Sequence, residues 1–92
     1  MLAVRHNRAA SRFEVEVEGG LAHADYRLAD GVMQIVHTEV PRASQGRGIA
    51  AHVVKAALAH ARAHGLRVQP WCSYVRTYMR RHPEAQDLLP AE

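Results

Sequence analysis

The sequence predicts an α+β fold in which antiparallel strands are followed by a βαβ crossover and a C-terminal helix. Three observations support this fold class. Apolar and polar residues alternate through much of the first forty residues, a helical apolar stripe follows, and a short extended segment then separates it from a second helical stripe. Alternation with period two is typical of half-buried strands, whereas spacings of three and four residues are typical of amphipathic helices. Because a crossover helix joins parallel strands, we expect a mixed sheet.

The first half of the chain predicts strands separated by tight turns. Apolar residues alternate with glutamates in the first long strand and with other polar residues in the second. The pairs Gly19-Gly20 and Asp30-Gly31 provide the turns, because glycine tolerates positive φ. The predicted strands cover residues 13–18, 22–28 and 32–40, with a short edge strand near 4–6.

The third long strand contains an irregularity in its alternation. Met33 and Ile35 share one parity, whereas Val36, Thr38 and Val40 share the other. A β-bulge after Ile35 would produce this switch, because one extra residue turns every later side chain to the opposite face. A central strand buried on both faces would explain the pattern equally well.

Proline and glycine residues indicate where the structure changes in the second half. Pro41 ends the third long strand, because proline lacks the amide hydrogen. Gly65 lies where the C-terminal cap of a long helix belongs. Ser73 is a candidate N-cap for a second helix, which Pro83 ends. The predicted elements are a helix over 46–64, a strand over 66–69, a helix from 73 to 82 and one further turn over 84–89.

Length and composition limit the class of protein. A chain of 92 residues predicts one domain, over residues 1–92, and its net charge of +3 is dispersed. With no long apolar run and a single cysteine, we expect a cytoplasmic protein without membrane contact. Only His60 and His64 share a helical spacing suited to a metal, so we predict no metal site. We expect a monomer or weak dimer without specific nucleic-acid binding, because no aromatic–basic platform is present.

The loop that precedes the long helix carries the clearest chemical signal. The first amides of a helix lack internal partners and, with the helix dipole, favour bound phosphate. Gly46 and Gly48 would let a ligand approach the backbone closely. Arg42 and Arg47 could pair with phosphate oxygens. This loop therefore predicts an anion site.

The same loop resembles the GNAT acetyltransferase superfamily. Gln45, Gly48 and Ala50 fit its Q/R-x-x-G-x-G/A signature, whose loop amides hold the pyrophosphate of acetyl-CoA. The blocks 37–41, 46–50 and 70–75 resemble a minimal GNAT-like family over about residues 13–78, although Trp71 is bulkier than is usual there. The resemblance implies a shortened GNAT fold that lacks the helices with which larger members enclose the acceptor. It also implies acetyl-CoA as the cofactor and an unidentified amine as the acceptor.

Ten residues are expected to bind the cofactor on this resemblance: Val40, Arg42, Gln45, Gly46, Arg47, Gly48, Ile49, Ala50, Tyr74 and Tyr78. A tyrosine in the region of Tyr74 and Tyr78 often protonates the departing CoA thiolate in the superfamily. The spacing of these two tyrosines also fits ordinary core packing.

Two residues are candidates for catalysis. Cys72 precedes a predicted helix, whose N-terminus favours the thiolate, and the resembled family suggests an active-site role for it. A small buried apolar residue is the structural alternative. His37 lies late on the irregular strand, and the imidazole ring is a side-chain type suited to a general base near neutral pH. It could instead be a hydrogen-bonded residue that fixes the strand.

We therefore predict a small N-acetyltransferase that uses acetyl-CoA to acetylate an amine. Direct transfer and transfer through acetylated Cys72 both remain open. The alternative is a CoA- or acyl-CoA-binding module without catalysis, because few groups are left to position an acceptor.

Overall fold

The structure is a computed structural model that describes residues 2–90. It contains one five-stranded mixed sheet with the strand order β1-β2-β3-β4-β5. Within residues 2–90, no helix has the length and apolar character needed to cross a membrane. The strands are β1 (Arg5–Asn7), β2 (Arg12–Val17), β3 (Gly20–Ala29), β4 (Val32–Glu39) and β5 (Arg67–Pro70). The helices are α1 (Ile49–Ala63) and α2 (Ser73–Arg81), with short 3-10 segments at Arg42–Ser44 and Pro83–Leu88.

The predicted crossover is confirmed, and its strands are parallel. β1 to β4 form an antiparallel series, whereas β4 pairs with β5 in parallel register. α1 makes the connection, and its C-cap His64 is followed by a left-handed glycine, Gly65, whose φ is 67°. The amide of Leu66 donates to the carbonyl of Ala61 at 2.8 Å, which satisfies one of the last helical carbonyls.

The helix starts differ from the sequence prediction. α1 begins at Ile49 rather than Gly46, because Gly48 adopts the left-handed conformation with φ of 74° and acts as the N-cap. The N-cap of α2 is Cys72 rather than Ser73, which is the first helical residue. The final turn is a 3-10 segment that Pro83 begins.

The β-bulge in β4 is confirmed. Tyr26 of β3 pairs with Ile35, whereas the preceding Asp25 pairs with His37, so Val36 is the extra residue. From this point the side chains of β4 exchange faces. Met33 and Ile35 face the same side as the later Thr38, which pairs with the buried Ala24.

The two faces of the sheet have different surroundings. Helix α1 packs on one face, where the ring of its His60 lies 5.4 Å from that of Phe13. Phe13 pairs with Ala24, and Thr38 beside Ala24 contacts Cys72 at the start of α2, so both helices lie on this side. We call it the covered face, and its fully buried residues include Met33, Ile35, Val53, Val54, Val68 and Val75.

The opposite side of the sheet, which we call the open face, consists largely of polar side chains. Glu14 is buried there and accepts hydrogen bonds from Arg5 and Asn7. The hydrogen bond from Arg5 outweighs burial and lowers the pKa of Glu14. Further along the face, His23 and Arg12 both contact the carboxylate of Asp25. The open face is therefore a surface of paired charges.

Candidate functional site

The loop between β4 and α1 is held against the turn that joins β2 and β3. Ser44 is completely buried, and its hydroxyl donates to the carbonyl of Glu18 at 2.8 Å. A Cβ atom at Gly19 would lie only 3.1 Å from Pro41 and 3.2 Å from Ala43, so a side chain there would push the loop away. These two contacts fix the position of the loop relative to the sheet.

The two glycines that follow leave the backbone of the loop open. Gly46 and Gly48 have φ values of 83° and 74°, and a Cβ atom at either position would meet no protein atom within 4 Å. Because Gly48 is the N-cap of α1, no N-cap side chain satisfies the first amides of the helix. The first amides of α1 are therefore available as hydrogen-bond donors beside open space, which suits a phosphate group.

A cavity of about 240 Å³ lies in front of these amides. It brings together seven of the ten residues that the sequence assigns to cofactor binding, and it adds Ser44. Burial raises the pKa of Tyr74, so its phenol stays protonated and can act as a hydrogen-bond donor. The lining residues are Val40, Ser44, Gln45, Gly46, Gly48, Ile49, Ala50 and Tyr74.

The other three predicted binding residues lie outside this cavity wall. Arg47 turns away and pairs with Glu18 at 3.3 Å, and Arg42 is exposed at the start of the loop. Tyr78 lies one turn further along α2 than Tyr74 and stacks on His82, with ring centroids 3.9 Å apart. The structure therefore places Tyr74, and not Tyr78, beside the loop.

A fork between β4 and β5 adjoins the loop. The two strands pair only as far as Ile35 and Pro70, although β4 continues to Glu39. At the branch point the carbonyl of Ile35 accepts hydrogen bonds from the amides of Trp71 and Cys72, both at 3.0 Å. These two bonds fix the backbone of Cys72 where the strands separate.

Cys72 is half-buried at this fork, and its sulfur lies 3.2 Å from the hydroxyl oxygen of Thr38. Burial opposes ionisation, but the Thr38 hydroxyl and the amides of Val75, Tyr74 and Thr38 outweigh it, so the pKa of Cys72 is lowered. The thiol makes no N-cap hydrogen bond to α2. The amides at the start of the helix nevertheless favour the charged thiolate over the thiol. The surroundings of Cys72 are those of a reactive thiol.

His37 lies on the other side of β4. Its side chain is 54% exposed on the open face and bonds to the carboxylate of Glu39 at 2.9 Å. The bulge at Val36 causes this arrangement, because it turns Thr38 toward Cys72 and leaves His37 facing away. The structure therefore does not bring His37 and Cys72 together.

Sequence reasoning assigned no role to Thr38 or Ser44, although both contribute to the site. The parity switch in β4 places Thr38 on the same face as the predicted binding residue Val40. The sequence pattern could therefore have predicted that Thr38 lies at the site. The hydrogen bond of Ser44 reaches back 26 residues to Glu18, and no local pattern predicts it.

Comparisons with known proteins identify the family of the chain. The family model for the GCN5-related N-acetyl-transferase matches residues 12–88. Protein NATD1 of Mus musculus is 34% identical over 91 residues, covering 95% of this chain and 82% of the relative. Protein NATD1 of Homo sapiens is also 34% identical, and 80% of its length is covered.

A solved structure supports the fold independently of these sequence matches. The NMR solution structure of a GCN5-like protein from Staphylococcus aureus superposes with a TM-score of 0.72. The similarity covers 99% of this chain and 90% of that protein, at 24% sequence identity. The shortened α+β architecture predicted from the sequence is therefore confirmed.

Proposed function

Because the chain belongs to the GCN5-related N-acetyltransferase family, we propose that it binds acetyl-CoA and transfers the acetyl group to an amine. The observation that carries this proposal is the 240 Å³ cavity at the start of α1, where seven of the ten predicted binding residues meet beside the β4–β5 fork. Acetyl-CoA would supply an acetyl group activated as a thioester.

The residues of the loop fit the phosphate part of this ligand. The positive φ values of Gly46 and Gly48 turn the backbone toward open space, and small side chains such as Ala50 keep the first turn of α1 uncrowded. Gln45 folds back so that its amide donates to the carbonyl of Val40 at 3.1 Å, which stiffens the loop. We assign the pyrophosphate to these amides, with Arg42 adding positive charge at the loop, whereas Arg47 would have to leave Glu18 to do so.

The acetyl group would be received at the fork. Cys72 as a thiolate can attack the acetyl carbon, forming a new sulfur–carbon bond while the bond to the departing thiolate breaks. The phenol of Tyr74 can donate the proton that this leaving group takes up. An amine then attacks the acetylated Cys72, and the cysteine thiolate leaves. In direct transfer the amine would attack without the cysteine.

The amine would approach from the open face, because α1, α2 and the loop occupy the other side. His37 is exposed on that face, where it could accept the proton that the attacking amine loses. In this arrangement Cys72 and His37 need not touch, since they act on opposite sides of the fork.

The rival function is a CoA-binding module without catalysis. It is favoured by one observation: among residues 2–90, no helix covers the open face where an acceptor would be positioned. Both functions need the loop, but only the enzyme releases free CoA from acetyl-CoA in the presence of amines.

A matched pair of glycine substitutions tests the shared binding step. Gly48 and Gly65 cap the two ends of α1 with similar positive φ, and a Cβ at either meets no protein atom within 4 Å. Both Gly48→Ala and Gly65→Ala should therefore cost about 1–2 kcal/mol of backbone strain. Only Gly48→Ala places a methyl group in the path of the pyrophosphate, and we expect it to weaken CoA binding by roughly 10-fold or more.

Isothermal titration with CoA measures the difference, and thermal melting monitors folding. Acetyl-CoA at about 100 times its dissociation constant should stabilise the wild-type fold by roughly 2.7 kcal/mol. Absence of binding at millimolar CoA, or equal weakening in both variants, would overturn the assignment of this loop. Thiol release from acetyl-CoA with primary alkylamines then separates the enzyme from the binding module.

A further inference from the structure

We propose that Thr38 is a positioning residue that holds the sulfur of Cys72 as a thiolate at the β4–β5 fork. The inference rests on the proposed function, because it concerns the residue that would receive the acetyl group. The observation behind it is the distance of 3.2 Å between the Thr38 hydroxyl oxygen and the Cys72 sulfur, across 34 residues of sequence.

The position of Thr38 depends on the bulge at Val36. Thr38 pairs with Ala24, which is 1% exposed on the covered face. Without the extra residue, strand alternation would place His37 on this face and turn Thr38 to the open face. The bulge therefore exchanges a bulky titratable ring for a small hydroxyl beside the sulfur.

The backbone around Cys72 leaves the thiol little freedom to move away. The carbonyl of Ile35 holds the amides of Trp71 and Cys72, and Val75 of the following helix is completely buried. Since β4 supplies both this carbonyl and Thr38, one strand anchors the main chain and the side chain of the cysteine. A hydroxyl group in this position can donate to a thiolate, and a hydrogen bond to a charged partner is stronger than one to a neutral partner.

The direction of the hydrogen bond decides the role of Thr38. If the hydroxyl donates to the sulfur, its removal destabilises the thiolate and raises the pKa of Cys72. If the thiol donates to Thr38, removal has no effect on that pKa or lowers it. At 3.2 Å either atom could be the donor, so the pKa of Cys72 in a variant without the hydroxyl decides between the two directions.

The test compares Thr38→Val, which keeps the shape and removes the hydroxyl, with Thr38→Ser, which retains the hydroxyl. Thr77→Val on α2 is the control, because the hydroxyl of Thr77 accepts a hydrogen bond from Arg80 and does not serve Cys72. Cys72 is the only cysteine in the chain, so the rate of alkylation by iodoacetamide reports on it alone. The rate is measured from pH 5 to 10 on protein without ligand, and its midpoint gives the thiol pKa.

We expect Thr38→Val to shift the midpoint upward by about one pH unit and to slow alkylation near pH 7 by roughly 10-fold. Thr38→Ser and Thr77→Val should retain profiles close to that of the wild type. An unchanged or lower midpoint in Thr38→Val would overturn the proposal, as would equal shifts in Thr38→Val and Thr77→Val. If Thr38→Val does not fold, a profile of Thr38→Ser far from the wild type would overturn it and a retained profile would support it.

Intact-mass measurement with acetyl-CoA separates this inference from the proposed function. If the alkylation profile shifts but wild-type Cys72 is never acetylated, the role of Thr38 stands and an acetyl-cysteine intermediate is ruled out. If wild type and Thr38→Val are acetylated at equal rates and have equal alkylation profiles, the acetyl-cysteine intermediate is supported and the role of Thr38 is refuted.

Discussion

Thr38 and His37 are neighbours on β4 but face opposite sides of the sheet. Thr38 faces the covered side and lies 3.2 Å from a thiol, whereas His37 faces the open side, 54% exposed and paired with Glu39. One extra residue, Val36, determines which of them meets Cys72. The comparison shows that the two faces have different surroundings: the covered face combines the core with Cys72, whereas the open face carries exposed polar side chains such as His37, and it is there that we propose the acceptor binds.

The largest expected effect is on the free energy of unfolding, and it shows whether the covered face contributes most of the stability of the protein. Met33 is completely buried there, while the adjacent Gln34 lies on the open face and contacts Gln69 at 3.5 Å. Met33→Ala should lower the free energy of unfolding by about 2–5 kcal/mol, because it leaves a cavity. Gln34→Ala should change it by only about 0.5 kcal/mol. Urea denaturation measures both values, and similar losses would contradict the division between the faces.

The second prediction concerns the chemistry on the two faces. Cys72→Ala should bind CoA normally, since the loop lies elsewhere, but should lower the rate of CoA release by roughly 100-fold or more. His37→Ala should lower it by about 10-fold and change its pH profile, because the proposed general base is lost. Thiol release from acetyl-CoA with a panel of primary alkylamines measures both rates.

The opposite ranking of these two variants would change the mechanism rather than the cofactor site. If Cys72→Ala keeps the wild-type rate while His37→Ala loses most of it, the amine attacks the thioester directly from the open face. Titration with CoA on the same samples verifies that neither variant has lost the ligand.

The smallest expected effect concerns histidines on the covered face, far from the fork. His60 is half-buried, and its ring lies 4.5 Å from that of His6 and 4.0 Å from that of His64. Burial, followed by the charges of His64, His6 and Arg8, lowers the pKa of His60 below its ordinary value of 6.5. Burial likewise lowers the pKa of His6.

Because the unfolded chain then binds protons more readily than the folded one, the stability present above pH 6.5 should decline as the pH falls toward 5. His60→Gln should weaken this dependence, whereas His52→Gln, at an exposed position on the same helix, should retain it. Urea midpoints at pH 7.5, 6.5 and 5.5 measure the slope. A wild-type slope in His60→Gln would show that His60 does not contribute to the pH dependence of stability.

The sequence by itself determined most of the local structure. Alternation located the strands, and Gly19, Asp30-Gly31 and Gly65 located turns and a cap, because positive φ is a property of single residues and their neighbours. The parity switch after Ile35 indicated the bulge as one of two explanations, because alternation is read along one strand, and the register of β4 against β3 decided between them. The open backbone of the loop before α1 was also predicted, since two glycines before a helix form a local pattern.

Only the tertiary structure decided which side chains meet. The contact of Thr38 with Cys72 spans 34 residues and that of Ser44 with Glu18 spans 26, and neither leaves a periodic signal. The separation of His37 from Cys72 likewise required the register of β4 against β3 and β5. Hydrogen bonds between strands set this register, and their partners are chosen by the packing of the whole sheet rather than by neighbours in sequence.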